Sequence, residues 1–406
     1  MSKTGEPRAA AKRLAIDAAA GVGLVVAVAA VFLLRARSTS SDTTTALAET
    51  SQLETIEATS GGEPEHPRPL RLAVTEPVYD DMGKLLDQLG PGYRYTTIPL
   101  EAVLDPNQLG RYDVVFLTCG GVPRSWTARR ARGSQPAVAG LFRARREIAE
   151  QLRRSLRRFV GHGGTLYVSD LHFKLLAVAF PELVDWQKVA QGEIQTIDAR
   201  VVDEGLGRRL GSSIRLRFDM RAWRPAAFHG PDVTVYLEGD IQTIRRGRMT
   251  VPLLIGFPFQ EGSVIFTSFH NEAQQTDTEL ELLRHLVFTT VTAREEARIK
   301  QTMVRGGISP RYRDLLSTGG GGRPVQATYH CDGGRLLQFV LGFRDQGARL
   351  QLTVVDPRGR RYEKTGRRTF TIEIPEPPAG PWQYTITPLE VPYRNFPFTL
   401  TIGQRQ

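Results

Sequence analysis

The sequence predicts an α/β protein, a doubly wound and largely parallel sheet, followed by an all-β sandwich and preceded by one transmembrane helix. Three observations carry this expectation. Short apolar strands alternate with helical periodicity from residue 68 to 298, the pattern of strands and helices wound into one sheet. Residues 323–406 contain only strand-like stretches separated by turn signals, as in a small sandwich. Residues 18–34, AAAGVGLVVAVAAVFLL, carry no charge, and extending back to Leu14 gives a stretch interrupted only by Asp17. A helix of about 20 residues spans the hydrocarbon layer, so 14–34 is long enough.

The N-terminal organisation follows from charge. Lys3, Arg8, Lys12 and Arg13 precede the apolar run, and only Arg35 and Arg37 follow it closely. Positive residues stay inside, which places residues 1–13 in the cytoplasm and the bulk of the chain outside. The absence of a small-x-small cleavage site beside the run favours an uncleaved signal anchor over a cleaved signal peptide. Residues 35–67 then form a tether, rich in Ser, Thr and Glu. Asp42, Glu49, Glu54, Glu57, Glu63 and Glu65 give it acidic character, with too little apolar material for a core. The expected location is a cell membrane, single-pass, with the bulk periplasmic or extracellular.

Element by element, 71–75 reads as a buried strand. Residues 80–89 read as a helix, with Met82, Leu85, Leu86 and Leu89 on one face. Residues 93–100 and 113–118 are further strands. Residues 141–160 are a helix whose apolar stripe is Ile148, Leu152, Leu156 and Phe159, and 165–168 is the next strand. Strands follow at 194–202, 233–237, 242–244, 251–255 and 264–268, and 276–298 closes the α/β domain (68–298) as a helix. Residues 299–322, with Gly306-Gly307 and the run Gly319 to Gly322, read as a linker. The sandwich strands are expected at 325–329, 336–341, 350–355, 369–374, 383–388 and 396–402.

Composition excludes several classes. The chain has 406 residues, enough for two or three domains, and its 41% hydrophobic and 24% charged content is that of a globular protein. Two cysteines, Cys119 and Cys331, cannot make a disulfide scaffold or a four-cysteine zinc module. The net charge of +10 comes from 46 Arg against 7 Lys, a skew that codon bias in a GC-rich genome produces. No nucleic-acid module or interleaved aromatic pattern accompanies it, so no nucleic-acid partner is expected. Residues 124–158 carry 11 Arg against Glu147 and Glu150. This reads chiefly as a solvated face, with anionic envelope material as the alternative partner. No cofactor motif is present. His172 with His270 and Asp170 offers donor types that suit zinc, but nothing fixes a third ligand, and no metal is expected. Cys119 reads as a buried structural thiol, and Trp223, Trp382 and Tyr384 as core residues.

Three segments carry a family likeness. Tyr112-Asp-Val-Val-Phe-Leu-Thr-Cys-Gly-Gly121 is a strand ending at a Gly pair. Thr165-Leu-Tyr-Val-Ser-Asp-Leu-His172 is a strand running into a turn. Val264-Ile-Phe-Thr-Ser-Phe-His-Asn-Glu272 is a strand ending in His-x-Glu. Over about residues 70–293 this order resembles the class I glutamine amidotransferase-like superfamily, which implies a flavodoxin-like sheet. The resemblance places a nucleophile at Ser169, a base at His270 and an orienting acid at Glu272. Ser169 stands where amidotransferases have Cys, which argues against glutamine hydrolysis. Leu171 stands where the family has Gly, which crowds the nucleophile elbow. The segments 350–359, 378–385 and 398–402 resemble bacterial pre-peptidase C-terminal domains. The expectation is a membrane-anchored envelope protein with a non-catalytic, pseudoenzyme-type α/β domain that acts in binding or assembly. The alternative is a Ser-His-Glu envelope hydrolase of an amide or ester.

Overall fold

Three strands are apolar along most of their length, and each is buried along its whole length: β1 (Leu72–Thr75), β3 (Val114–Leu117) and β4 (Thr165–Ser169). Strands enclosed on both faces need apolar residues at successive positions, unlike half-exposed strands that alternate. The structure is a computed structural model that describes residues 70–127, 145–317, 323–344 and 347–406. With β2 (Tyr95–Ile98) and β9 (Gly262–Thr267), these strands form a parallel array in the order β2-β1-β3-β4-β9. That is the flavodoxin-like order.

Alternation along each strand divides its side chains between two layers. Leu72, Val74, Val114, Phe116 and Tyr167 pack on one face with Met82, Leu85 and Leu86 of α1 (Met82–Leu89) and Leu282 and Leu286 of α6 (Asp277–Arg305). Ala73, Val115, Leu117, Leu166 and Val168 pack on the other with Leu152, Leu156 and Phe159 of α3 (Arg146–Gly161) and Leu175 and Leu176 of α4 (Phe173–Ala179). The sheet is therefore doubly wound. Asp81 caps α1 by accepting the Lys84 N–H, and Thr276 with Glu279 forms a reciprocal capping box on α6. The short helices α2 (Pro106–Leu109) and α5 (Glu204–Leu210) lie in the connections.

The sheet is less parallel than the sequence suggests. It continues beyond β9 through four antiparallel strands, giving nine in all: β8 (Gly247–Phe259), β7 (Thr234–Thr243), β5 (Gln195–Val201) and the edge strand β6 (Ser213–Phe218). β6 buries Ile214, Leu216 and Phe218 alternately, a period-two signal that its intervening polar residues obscure. β7 and β8 are one long hairpin, so the separate strands expected at 233–237 and 242–244 are parts of β7.

The C-terminal region is a sandwich of two four-stranded antiparallel sheets. One holds β10 (Ser309–Ser317), β17 (Pro397–Arg405), β12 (Leu336–Gly342) and β15 (Phe370–Pro375). The other holds β11 (Val325–Cys331), β16 (Gly380–Glu390), β13 (Arg349–Val355) and β14 (Arg361–Gly366). Residues 299–317, expected as linker, instead continue α6 to Arg305 and form β10 along β17. Ile299, Met303 and Ile308 pack with Val340, so apolar burial holds this stretch against the sandwich. Gly319 to Gly322 lie outside the described residues. The Tyr93 hydroxyl donates to the Asn395 carbonyl (2.5 Å), and the Asn395 amide donates to the Leu89 carbonyl (3.1 Å), a second tie between the sandwich and the α/β domain.

No helix among the described residues is long and apolar enough to cross a membrane. The segments assigned to the cytoplasmic N-terminus (1–13), the membrane helix (14–34) and the tether (35–67) lie outside the described residues, as do residues 128–144 of the Arg-rich stretch.

Candidate functional site

In open α/β sheets, ligands bind beyond the carboxyl ends of the strands. Here those ends bring together Cys119 after β3, Asp170 after β4 and His270 after β9, all buried. The turn leaving β4 decides the chemistry. Ser169 is in ordinary extended backbone (φ −122°, ψ 143°), whereas Asp170 has φ +43°. A left-handed residue between a strand and a helix is the signature of a nucleophile elbow, and Asp tolerates that conformation better than most side chains. The elbow position therefore falls on Asp170, one residue beyond the Ser169 that the family resemblance indicates.

Asp170 is saturated. Its Oδ1 accepts the Arg224 backbone N–H at 2.8 Å. Its Oδ2 lies 3.1 Å from His270 Nε2 and accepts from the Cys119 thiol at 3.5 Å. A carboxylate can serve as a nucleophile, but this one has both oxygens occupied and is 0% exposed.

Ser169 and Glu272 do not join His270. The Ser169 hydroxyl oxygen accepts the Cys119 backbone N–H at 2.9 Å. Glu272 points outward to an ion pair with Lys84, and its backbone N–H donates to Asp80 Oδ1 at 3.2 Å. The carboxylate beside the second ring nitrogen is Asp219, whose Oδ1 lies 2.9 Å from His270 Nδ1 but out of line for a hydrogen bond. His270 is the one residue of the expected Ser169–His270–Glu272 triad that sits where the resemblance implies. The correction has a plain cause. Glu272 lies past the end of β9 and faces α1, whereas Asp219 follows β6, a strand whose polar positions hide it in the sequence.

Electrostatics fix the protonation of the cluster. Burial works to lower the His270 pKa, but the bonded Asp170 and the nearby Asp80 and Asp219 outweigh it and raise the ring to about 9. An imidazolium at neutral pH cannot act as a general base. Burial and the adjacent Asp170 push the Cys119 thiol far above its ordinary range, so it is not a thiolate nucleophile. Asp80 is buried and raised by desolvation, against the pull of His270 and of hydrogen bonds from Asn271 and Glu272. His172 is buried and lowered to about 4, chiefly by desolvation and then by Lys174, and neither ring nitrogen has a side-chain hydrogen-bond partner.

The sequence marks Asp170 only as a neighbour of the expected nucleophile and a weak metal donor, and it does not mark Asp80, Asp219 or Arg224. Nothing in their local sequence distinguishes these three, because each reaches the cluster from a different connection. Cys119 and Cys331 are both free and buried, with no disulfide between them. Trp223 stacks on Phe218 at 3.9 Å, and Trp382 and Tyr384 fill the sandwich core, so none forms an exposed stacking surface. An open charged depression of about 630 Å³ lies elsewhere, on β5, β7 and β8, lined by Asp198, Arg200, Glu238, Asp240 and Arg248 among others.

No family model matches the chain, and no curated protein matches it. Solved structures similar to it include glutamine amidotransferase-like proteins. A putative GMP synthase glutamine-amidotransferase-type chain from Thermoplasma acidophilum is 15% identical with a TM-score of 0.35, over 57% of this chain and 100% of that one. A glutamine amidotransferase from Thermotoga maritima is 12% identical with a TM-score of 0.31, over 59% of this chain and 94% of that one. An exo-β-1,4-mannosidase from Opitutaceae bacterium strain TAV5 is 11% identical with a TM-score of 0.26, over 57% of this chain and 35% of that one. Likenesses this distant carry no argument about the site, and the flavodoxin-like character of the α/β domain rests on its own strand order.

Proposed function

We propose that the chain is a membrane-anchored bacterial envelope protein whose amidotransferase-like α/β domain is non-catalytic and serves binding or assembly outside the cytoplasm. One observation carries the non-catalytic reading. The elbow position holds Asp170, a buried carboxylate engaged by Arg224, Cys119 and His270, in place of a free hydroxyl or thiol. Hydrolysis by Ser169 would need His270 to take its proton, yet that hydroxyl is turned to the Cys119 N–H and His270 is protonated. The anchor and the outward orientation rest on residues 14–34 and the flanking charges. The C-terminal sandwich, which resembles appended modules of secreted proteins, is proposed to contribute to that binding.

The test has two parts. The full chain in detergent is treated with fluorophosphonate and glutamine-analogue probes, and the expected result is no covalent labelling. Labelling of wild type that disappears in Ser169→Ala would establish the hydrolase alternative instead. Fractionation of intact cells with external protease then reads location. Membrane association with digestion of the C-terminal region is expected, and a fully protected or soluble chain overturns the envelope reading.

A further inference from the structure

We infer that Cys119, Asp170 and His270 form a binding site for a zinc-like divalent cation, buried at the carboxyl ends of β3, β4 and β9. The three side chains each offer one ligand atom, and these atoms lie within 4.8 Å of one another. The spacing is that of a shared metal. Zinc bonds of about 2.3 Å to sulfur and about 2.0–2.1 Å to nitrogen and oxygen, at tetrahedral angles, put sulfur about 3.5 Å and nitrogen about 3.3 Å from the oxygen. The observed separations are 3.5 Å from Cys119 Sγ to Asp170 Oδ2 and 3.1 Å from His270 Nε2 to the same oxygen. Thiol, imidazole and carboxylate together are a zinc donor set.

The surroundings match what a ligated histidine and carboxylate need. A metal-bound histidine usually turns its other ring nitrogen to a carboxylate, and Asp219 Oδ1 lies 2.9 Å from His270 Nδ1. Asp170 uses its remaining oxygen on the Arg224 N–H, which holds the carboxylate in place. Two of the ligands closely follow sheet strands and the third sits on the turn after β4, a rigid mounting. Charge also balances. A protonated thiol, a carboxylate and an imidazolium sum to zero. A divalent cation on thiolate, carboxylate and neutral imidazole also sums to zero, and the two displaced protons go to solvent. Exchange therefore adds no net charge to a buried site, which removes the largest electrostatic obstacle to binding there.

This inference is independent of the envelope reading, since a metal tying three strand ends together suits a binding domain in any compartment. It departs from the sequence expectation of no metal. That expectation groups Asp170 and His270 with His172, where the structure supplies Cys119.

Because the site is closed, the metal is supplied during synthesis. The full chain is produced in minimal medium with zinc or with cobalt, purified in detergent, dialysed exhaustively and assayed for metal. Close to one zinc per chain is expected, and the cobalt form should show a thiolate-to-cobalt charge-transfer band. Cys119→Ser should lose the band and retain at least about tenfold less metal, whereas Cys331→Ser should match wild type. Asp219→Asn leaves all three ligands intact and should weaken retention roughly 10–100-fold, giving a second reading if Cys119→Ser does not fold. No retained metal in wild type, metal without the thiolate band, or equal retention in Cys119→Ser would each overturn the site.

Discussion

The two cores of this chain are built on opposite principles. The sandwich interior is apolar, with Phe339, Trp382, Tyr384 and Phe398 packed between two antiparallel sheets. Its stability comes from area removed from water, which is non-directional and tolerant of imperfect geometry. The carboxyl edge of the parallel strands instead buries Asp80, Asp170 and His270, with Arg224 beside them. Such groups are costly to desolvate, and the cost is offset only when each finds a partner. A chain that builds one core from hydrocarbon and places ionised groups at a single edge of the other has a constraint at that edge beyond folding.

The comparison can be broken at either core. Trp382→Ala empties the largest buried side chain of the sandwich and should cost about 3–5 kcal/mol in chemical denaturation. A loss below about 1 kcal/mol would show that the sandwich core is not carried by packing. Asp170→Asn keeps size and the Arg224 hydrogen bond but leaves the buried His270 without its counter-charge. A loss of about 3 kcal/mol is expected on the same assay.

Acidity separates the two regions more finely. The folded His270 pKa stands at about 9 against an ordinary value of 6.5. Its stabilisation is complete below the lower value and declines as pH rises through the higher one, by about 3 kcal/mol in all. Wild type should therefore lose stability across that window, and Asp170→Asn should show a much flatter profile. Equal slopes would mean that His270 is not held by the carboxylates. The smallest effect belongs to Glu272→Gln. Its partner Lys84 is exposed, so the midpoint should not shift measurably. A large loss would restore Glu272 to the cluster.

The elements near this edge are legible in the sequence where periodicity is strong. β1, β3 and β4 are nearly continuous apolar runs, and α1 and α3 carry clean stripes. β6 is hidden because its three buried residues alternate with Ser213, Arg215 and Arg217, a pattern that reads as a polar loop. The strand β10 is masked by the glycines on either side of it, since its pairing with β17 is a contact across most of the C-terminal region. His270 is legible as the end of β9. Asp170 is visible in the sequence for the wrong reason, because only its backbone angle identifies it as the elbow. Asp219, Asp80 and Arg224 carry no signal, as a lone carboxylate or guanidinium in a connection is ordinarily solvated.

By itself the sequence determined the alternation of α and β elements, the all-β C-terminal region and the apolar segment near the N-terminus. Each of these is a local property, set by the spacing of apolar residues along a few turns or strand steps. Tertiary structure decided that five parallel strands continue into four antiparallel ones, and that α6 runs on to meet the sandwich. It also decided that Asp170 rather than Ser169 faces His270. The reason is geometric. A rotation of one residue at a turn, or the arrival of Asp219 from a distant edge strand, reverses the chemistry of a site without altering any pattern that composition or periodicity records.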